Sequence, residues 1–229
     1  MLTPTPADPS AVVPARVTRR RALRTLLALG GAGVAAMQSA ARAADALRAT
    51  PANSLGPFYP AQKPADSDAD LTLVAGRAQR AAGTVLYTSG RVLDVTGRPI
   101  AGAQIEVWQA NAFGRYHHPR DSDSSGALDP NFQGYGRLVT DAEGRYRIKT
   151  IKPPPYSGRT PHLHFNVASE RARLTTQMFF DGDPGNERDF LFRNLAVDDQ
   201  RASTGRFADR GPGMEPDAVV TVWDIVLKT

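Results

Sequence analysis

The chain has 229 residues, with 28 Lys and Arg against 23 Asp and Glu, 41% hydrophobic residues and no cysteine, which fits one globular domain with a tail. Without thiols, disulfide frameworks, zinc knuckles, thiol nucleophiles and iron–sulfur clusters are excluded. The formal charge of +5 sits in the first 43 residues, which hold six arginines and one acid and leave 22 basic and 22 acidic residues beyond, so the neutral body gives no reason to expect a nucleic-acid partner.

Residues 1–43 have the layout of an export signal. A basic run, Thr18-Arg19-Arg20-Arg21-Ala22-Leu23-Arg24, precedes the small and apolar stretch from Leu26 to Met37, and Ala41-Arg42-Ala43 supplies a small-x-small cleavage site. The arginine pair in this setting resembles a twin-arginine signal, whose pathway carries folded proteins. The apolar stretch is too short to span a bilayer, and no second segment reaches membrane length. The expectation is removal of the leader and a soluble protein, periplasmic or extracellular, with no stable membrane insertion.

Residues 44–82 mix Ala, Pro, Asp and Arg with no sustained period, and read as an N-terminal arm with turns rather than a core element. Within it, Leu55-Gly56-Pro57-Phe58-Tyr59-Pro60 reads by itself as a turn laid over the core edge.

From residue 83 to 229 short β-type runs alternate with turn residues. The runs are Val85 to Tyr87, Gly90 to Asp94, Gln104 to Gln109, Gly136 to Thr140, Arg145 to Ile151, His162 to Ala168, Leu174 to Phe180 and Ala218 to Leu227. The pattern predicts an all-β fold, an antiparallel β-sandwich of about eight strands with long loops. A short helix near Arg188 to Leu195 fits the segment 185–217, which is too long for a hairpin loop and should pack against the sandwich or its mouth.

One strand concentrates the chemistry. In His162-Leu163-His164-Phe165-Asn166-Val167 residues i and i+2 share a face, so both imidazoles point one way while Leu163, Phe165 and Val167 point into the core. That is a metal-clip geometry, although two half-buried, hydrogen-bonded histidines give the same pattern. His117 and His118 are adjacent and make a poorer clip. With no thiolate available, partners for a metal must be hard or imidazole-like. Tyr156, stiffly approached through Pro153, Pro154 and Pro155, and Arg159 lie nearby in sequence.

Seven motifs, in this order, resemble the intradiol ring-cleavage dioxygenases, with a core like that of the protocatechuate 3,4-dioxygenases. They are Gly90 to Asp94, Gly102 to Asn111, Gly114-Arg115-Tyr116, Leu128 to Phe132, Lys152 to Tyr156, Arg159 to Phe165 and Phe180 to Pro184. The likeness spans residue 51 to the C-terminus, where Trp223 to Leu227 also fits. Carried over residue by residue, it implies a non-haem Fe(III) centre held by Tyr116, Tyr156, His162 and His164, with a solvent hydroxide. Two phenolates and a hydroxide neutralise a trivalent ion, which makes such a site tolerable in a closed pocket. Arg159 would face the substrate and stabilise negative charge, while Gln177, Gly56 and Pro57 would border it. Tyr156 would serve both as ligand and as a base toward the diol.

The resemblance implies cleavage of a catechol-type aromatic diol between its hydroxyl carbons, with dioxygen as co-substrate and a muconate-type diacid as product. It leaves assembly into a homo-oligomer open. Only Ser157 and Gly158 separate Tyr156 from Arg159, where the protocatechuate enzymes carry a longer insertion, so the pocket rim should be more open. The alternative reading is a non-catalytic, transthyretin-like β-sandwich binding module, which needs neither the paired tyrosines nor His-x-His. A zinc hydrolase built on the two histidines lacks a third ordinary ligand in the same segment. The expected organisation is therefore a leader over 1–43, an arm over 44–82 and a catalytic sandwich over 83–229.

Overall fold

A computed structural model describes residues 46–122 and 126–229; the expected export signal lies outside the described residues. Nine strands and two short helices follow in chain order: β1 (Val85–Asp94), β2 (Gln104–Trp108), β3 (Tyr135–Val139), β4 (Arg145–Ile151), β5 (His162–Ala168), β6 (Arg173–Phe180), α1 (Phe190–Arg193), α2 (Val197–Ala202), β7 (Thr204–Ala208), β8 (Val219–Val222) and β9 (Ile225–Leu227). Among the described residues no helix is long and apolar enough to cross a membrane.

The strands form where the sequence alternates and turn where Asp and Gly allow it. In β4, Tyr146, Ile148 and Thr150 are buried while Arg145 and Arg147 are exposed. The preceding hairpin is fixed by Asp141, whose Oδ1 accepts from the amides of Glu143 and Arg145.

The nine strands make one mixed sheet in the order β3-β2-β5-β6-β7-β8-β1-β4, with β9 also paired to β1. The expected antiparallel sandwich of about eight strands is corrected here in two respects. Pairings of β1 with β8 and β9, and of β6 with β7, are parallel, because side-chain alternation reports which face is buried and not which way the neighbouring strand runs. The expected runs Val85 to Tyr87 and Gly90 to Asp94 join into β1, while β7 emerges from the segment 185–217 and the run from Ala218 to Leu227 breaks at Trp223 and Asp224, which brings the count to nine. That break crosses β1 at Gly90, where a Cβ would stand 1.9 Å from the Trp223 carbonyl oxygen; only glycine fits.

The sheet folds over on itself. Tyr146 of β4 and Phe165 of β5 stand far apart in strand order, yet their rings are 6.3 Å apart, and Phe165 also meets Trp223 at 5.2 Å. Leu163, Phe165 and Val167 enter this shared core with Ile105, Val107, Ile148 and Ile225, as the alternation in β5 predicts. The arm then covers both open edges. The Arg137 amide of β3 donates to Ser67, the Lys149 amide of β4 donates to Ala69, and Leu71 returns a bond to Lys149. Leu71 is itself fully buried in the core, so the arm contributes more to the interior than its composition suggests. One strap thus satisfies backbone groups on the two strands that would otherwise be left as edges.

Candidate metal centre

Three segments bring the four expected donors to one end of the sheet. β5 sends His162 and His164 to the face opposite its core side chains, and both are nearly inaccessible. Tyr116 arrives on a loop whose turn is set by Asn111, which accepts from the amides of Phe113 and Arg115, while Asp121 accepts from the Tyr116 amide at 2.6 Å. Tyr156 follows the three prolines and ends in a two-residue turn to Arg159. Tyr156 and Arg159 exchange backbone bonds of 3.2 and 2.7 Å, with φ of +45° at Ser157 and +77° at Gly158, as a turn matched to strand twist requires.

The phenol oxygens of Tyr116 and Tyr156 are 3.1 Å apart, and the Tyr156 oxygen is 3.3 Å from Nε2 of His162. The two imidazole centroids are 4.9 Å apart, and the Tyr116 ring meets His164 edge-on at 6.1 Å. The tautomer of His162 follows from its other nitrogen. Nδ1 lies 2.6 Å from the Thr160 carbonyl, which can only accept, so Nδ1 holds the proton and Nε2 presents its lone pair to the tyrosines. His164 stacks on Trp108 at 4.9 Å and 14°, and Gly56 approaches it closely, so that a Cβ there would come within 3.1 Å of His164 Cε1. Its Nδ1 is buried without a hydrogen-bond partner.

Burial sets the charge of this cluster. It pushes the Tyr116 phenol well above the usual range, with Tyr156 adding to the effect, and it also raises Tyr156. Burial and the nearby Arg159 charge lower His162 to about 3, and burial with His162 and Arg159 holds His164 well below the usual range. The four groups by themselves are therefore two neutral phenols and two neutral imidazoles near pH 7. Among the described residues no group of three or more His, Cys, Asp or Glu could hold a metal, so a metal bound here needs the tyrosine oxygens. A hard trivalent ion suits that donor set, since it can turn both phenols into phenolates and take the available imidazole nitrogens.

Other expected site residues separate into two groups. Arg159 and Gln177 stand together, with the Arg159 Nη2 donating to Gln177 Oε1 at 2.6 Å and Gln177 Nε2 donating to the Ser54 carbonyl at 3.0 Å. Gln177 faces His164 across the β5–β6 pair. Gly56 touches the cluster as described, whereas Pro57 is exposed and its carbonyl accepts from Arg120 at 2.8 Å. At Gly158 an added Cβ would meet nothing within 4 Å, so the short turn leaves that side of the site open. His117 and His118 take no part in the cluster.

Two contributors escape the sequence reading. Trp108 is identifiable in retrospect by period two, since it shares a face with Glu106 on β2 and lies opposite His164. Asp189 is fully buried and pairs with Arg159 at 2.7 Å; its only local signal is that of a cap preceding Phe190-Leu191-Phe192.

Comparison with known proteins gives concordant results. A family model described as "Dioxygenase" matches residues 55–229. The protocatechuate 3,4-dioxygenase beta chain of Burkholderia cepacia is 44% identical over 146 residues, covering 60% of this chain and 62% of that one. A hydroxyquinol 1,2-dioxygenase of Rhizobium sp. is 33% identical over 176 residues, covering 67% of this chain and 56% of the relative. The chain thus spans about three fifths of the length of these curated relatives. Among solved structures, the dioxygenase domain of a dioxygenase carbohydrate-binding protein fusion from Streptomyces sp. SirexAA-E superposes with a TM-score of 0.58 at 29% identity, covering 80% of this chain and 99% of that one.

Proposed function

The chain belongs to the intradiol dioxygenases, and from that premise we propose that it opens a catechol-type diol between its hydroxyl-bearing carbons, using dioxygen and a ferric ion held by Tyr116, Tyr156, His162 and His164. The observation that carries this reading is the meeting of two phenol oxygens at 3.1 Å beside an imidazole nitrogen whose lone pair is directed at them by the Thr160 carbonyl. Ferric iron bound there would act as a Lewis acid that favours the diol as its dianion. The reading extends to an exported enzyme acting on a diol met outside the cytoplasm, supported by the layout of residues 1–43.

The chain's own residues supply the rest. Tyr156 is the less buried phenol and closes the turn to Arg159, so, once a bound metal held it as a phenolate, its oxygen would be the one placed to receive a proton from an entering diol. Arg159 carries a fixed cation with 11% side-chain exposure, where low dielectric strengthens its hold on charge developing on the ring. Gln177 and the Ser54 carbonyl orient that cation. Gly56 lets the arm approach His164 closely and exclude water from that side. The open rim at Ser157 and Gly158 supports substituted diols as substrates over one narrowly fitted acid.

Metal analysis together with an oxygen electrode tests the reading. Purified protein should hold about one iron per chain and consume dioxygen when catechol is added. Tyr156→Phe should reduce turnover more than iron content. Zinc-loaded protein that consumes no dioxygen with any diol would overturn it.

A further inference from the structure

Asp189 donates no ligand to the cluster, yet both of its carboxylate oxygens are committed at its border. Oδ2 accepts from Arg159 Nε at 2.7 Å and from the Thr160 amide at 2.9 Å. Oδ1 accepts from the amides of Leu191 and Phe192 at 2.9 and 3.2 Å, opening α1. A carboxylate with 0% side-chain exposure is tolerated only when it is paired and fully hydrogen-bonded. Here burial would raise its pKa, and the Arg159 and Thr160 donors outweigh that and hold it below the usual carboxylate range.

The bonds made by Asp189 constrain two functional groups at once. With Nε on Asp189 and Nη2 on Gln177, the guanidinium is clamped in plane, and Phe190 lies 5.4 Å from its centre. Nη1 makes no hydrogen bond to a described residue and is the nitrogen left for a substrate. Thr160, whose amide Asp189 holds, presents the carbonyl of its next peptide unit to His162 Nδ1 at 2.6 Å, the bond that fixes the imidazole tautomer. Thr160 is held from its side chain too, through Asp183 and Asn186 at 3.1 Å each.

We propose that Asp189 is the positioning residue of this site: it locks Arg159 in the orientation that leaves Nη1 for the substrate, and it anchors at its amide the residue, Thr160, whose carbonyl sets His162. The inference rests on the ring-cleaving reading. It adds a residue outside the ligand set whose loss should act chiefly through Arg159 and in smaller part through Thr160. Its position at the N-terminus of α1 ties the segment after β6 to the chemistry, which gives that irregular stretch a reason to pack at the mouth.

Two substitutions separate this role from plain structural support. Asp189→Asn keeps the volume and loses the charge. Asp189→Ser keeps an acceptor suited to cap α1 but is too short to reach Arg159. Each should lower kcat on catechol by roughly 10²-fold, the scale for losing a well-placed charge stabiliser. In an Arg159→Ala background the same changes should cost less than about tenfold, the remainder being what Thr160 passes to His162, since residues acting as a unit do not add. Equal losses in both backgrounds, or no loss in either, overturn the proposal. A second readout uses the metal-free protein: the Arg159 Nε proton and the Thr160 amide should exchange with solvent at least about tenfold faster in both variants. Unchanged exchange overturns the proposal, and this arm also decides if Asp189→Asn fails to fold and only Asp189→Ser is obtained. If wild-type protein opens no diol, the ring-cleaving reading fails, while exchange still decides whether Asp189 holds Arg159.

Discussion

The Trp108 indole lies flat against the His164 imidazole, 4.9 Å between centroids, because the two residues are direct partners across β2 and β5. Tyr59 meets the indole edge-on at 5.0 Å on another side. His164 is therefore held by shape, since its Nδ1 has no hydrogen-bond partner to orient it. Trp108→Ala should cost about 3–5 kcal/mol of stability, the usual scale for emptying a buried aromatic site, and should lower bound iron. Trp108→Phe should retain most of both. Calorimetry and metal analysis on the pair check this; a Trp108→Ala protein with full iron content would show that the stack does not position His164.

Behind Trp108, Glu106 gathers Lys63, Tyr59, Tyr135 and Asn166. Tyr59 donates at 2.8 Å, Tyr135 at 2.7 Å and Asn166 at 3.1 Å, and Lys63 forms an ion pair with it. Burial opposes ionisation of Glu106, but Lys63 and the donors prevail and bring its pKa from 4.5 down to about 2. The folded state thus binds this proton less readily than the unfolded chain, and the stabilisation present above pH 4.5 is lost as pH falls towards 2. Thermal unfolding of wild type should therefore drop steeply over that window, and Glu106→Gln should flatten the drop while lowering stability near pH 7. Parallel pH profiles would refute the assignment.

The strand register around His162 and His164 was legible because period two is written into β5 itself. Tyr116 was not placeable from spacing: it lies 46 residues before His162, and its position depends on the Asn111 turn and the Asp121 bond, so only the family likeness pointed to it. Asp189 was invisible for a different reason. Its partners Arg159 and Thr160 are 30 and 29 residues away, and the helix that it caps has four residues, too few to show a period. The same physics hid β7, whose pairing with β6 consists of only two residue pairs. Parallel pairings left no mark either, since long connections carry the chain between their strands.

Gly56 holds a left-handed φ of +75° and stands against His164. A side chain there is strained by the backbone, and the imidazole must give by a few tenths of an ångström to admit it. Gly56→Ala should reduce diol turnover roughly 10-fold or more, on the scale of small displacements at a reacting centre, while costing about 1–2 kcal/mol of stability. Gly158→Ala is the control: it shares a positive φ but has open space around it, so it should cost similar stability with less effect on turnover. Equal effects on turnover would mean that backbone strain, and not pressure on His164, is responsible.

The product distinguishes the proposed ferric reading of this donor set from iron sites that open aromatic rings by a different route. Ferrous sites that activate dioxygen are built from two histidines and a carboxylate, and no such group of three occurs among the described residues. On the proposed reading two tyrosines, with oxygens 3.1 Å apart, would take the carboxylate's place, and as phenolates they would favour a trivalent ion that activates the electron-rich diol. Cleavage should then fall between the two hydroxyl-bearing carbons. Incubation with catechol, protocatechuate, 4-methylcatechol and hydroxyquinol under isotopically labelled dioxygen should give muconate-type diacids carrying the label, with one dioxygen consumed per diol. Arg159→Ala should slow this by roughly 10² to 10³ and leave iron bound. A yellow semialdehyde, the mark of cleavage beside the hydroxyls, would overturn the assignment however well the four donors converge.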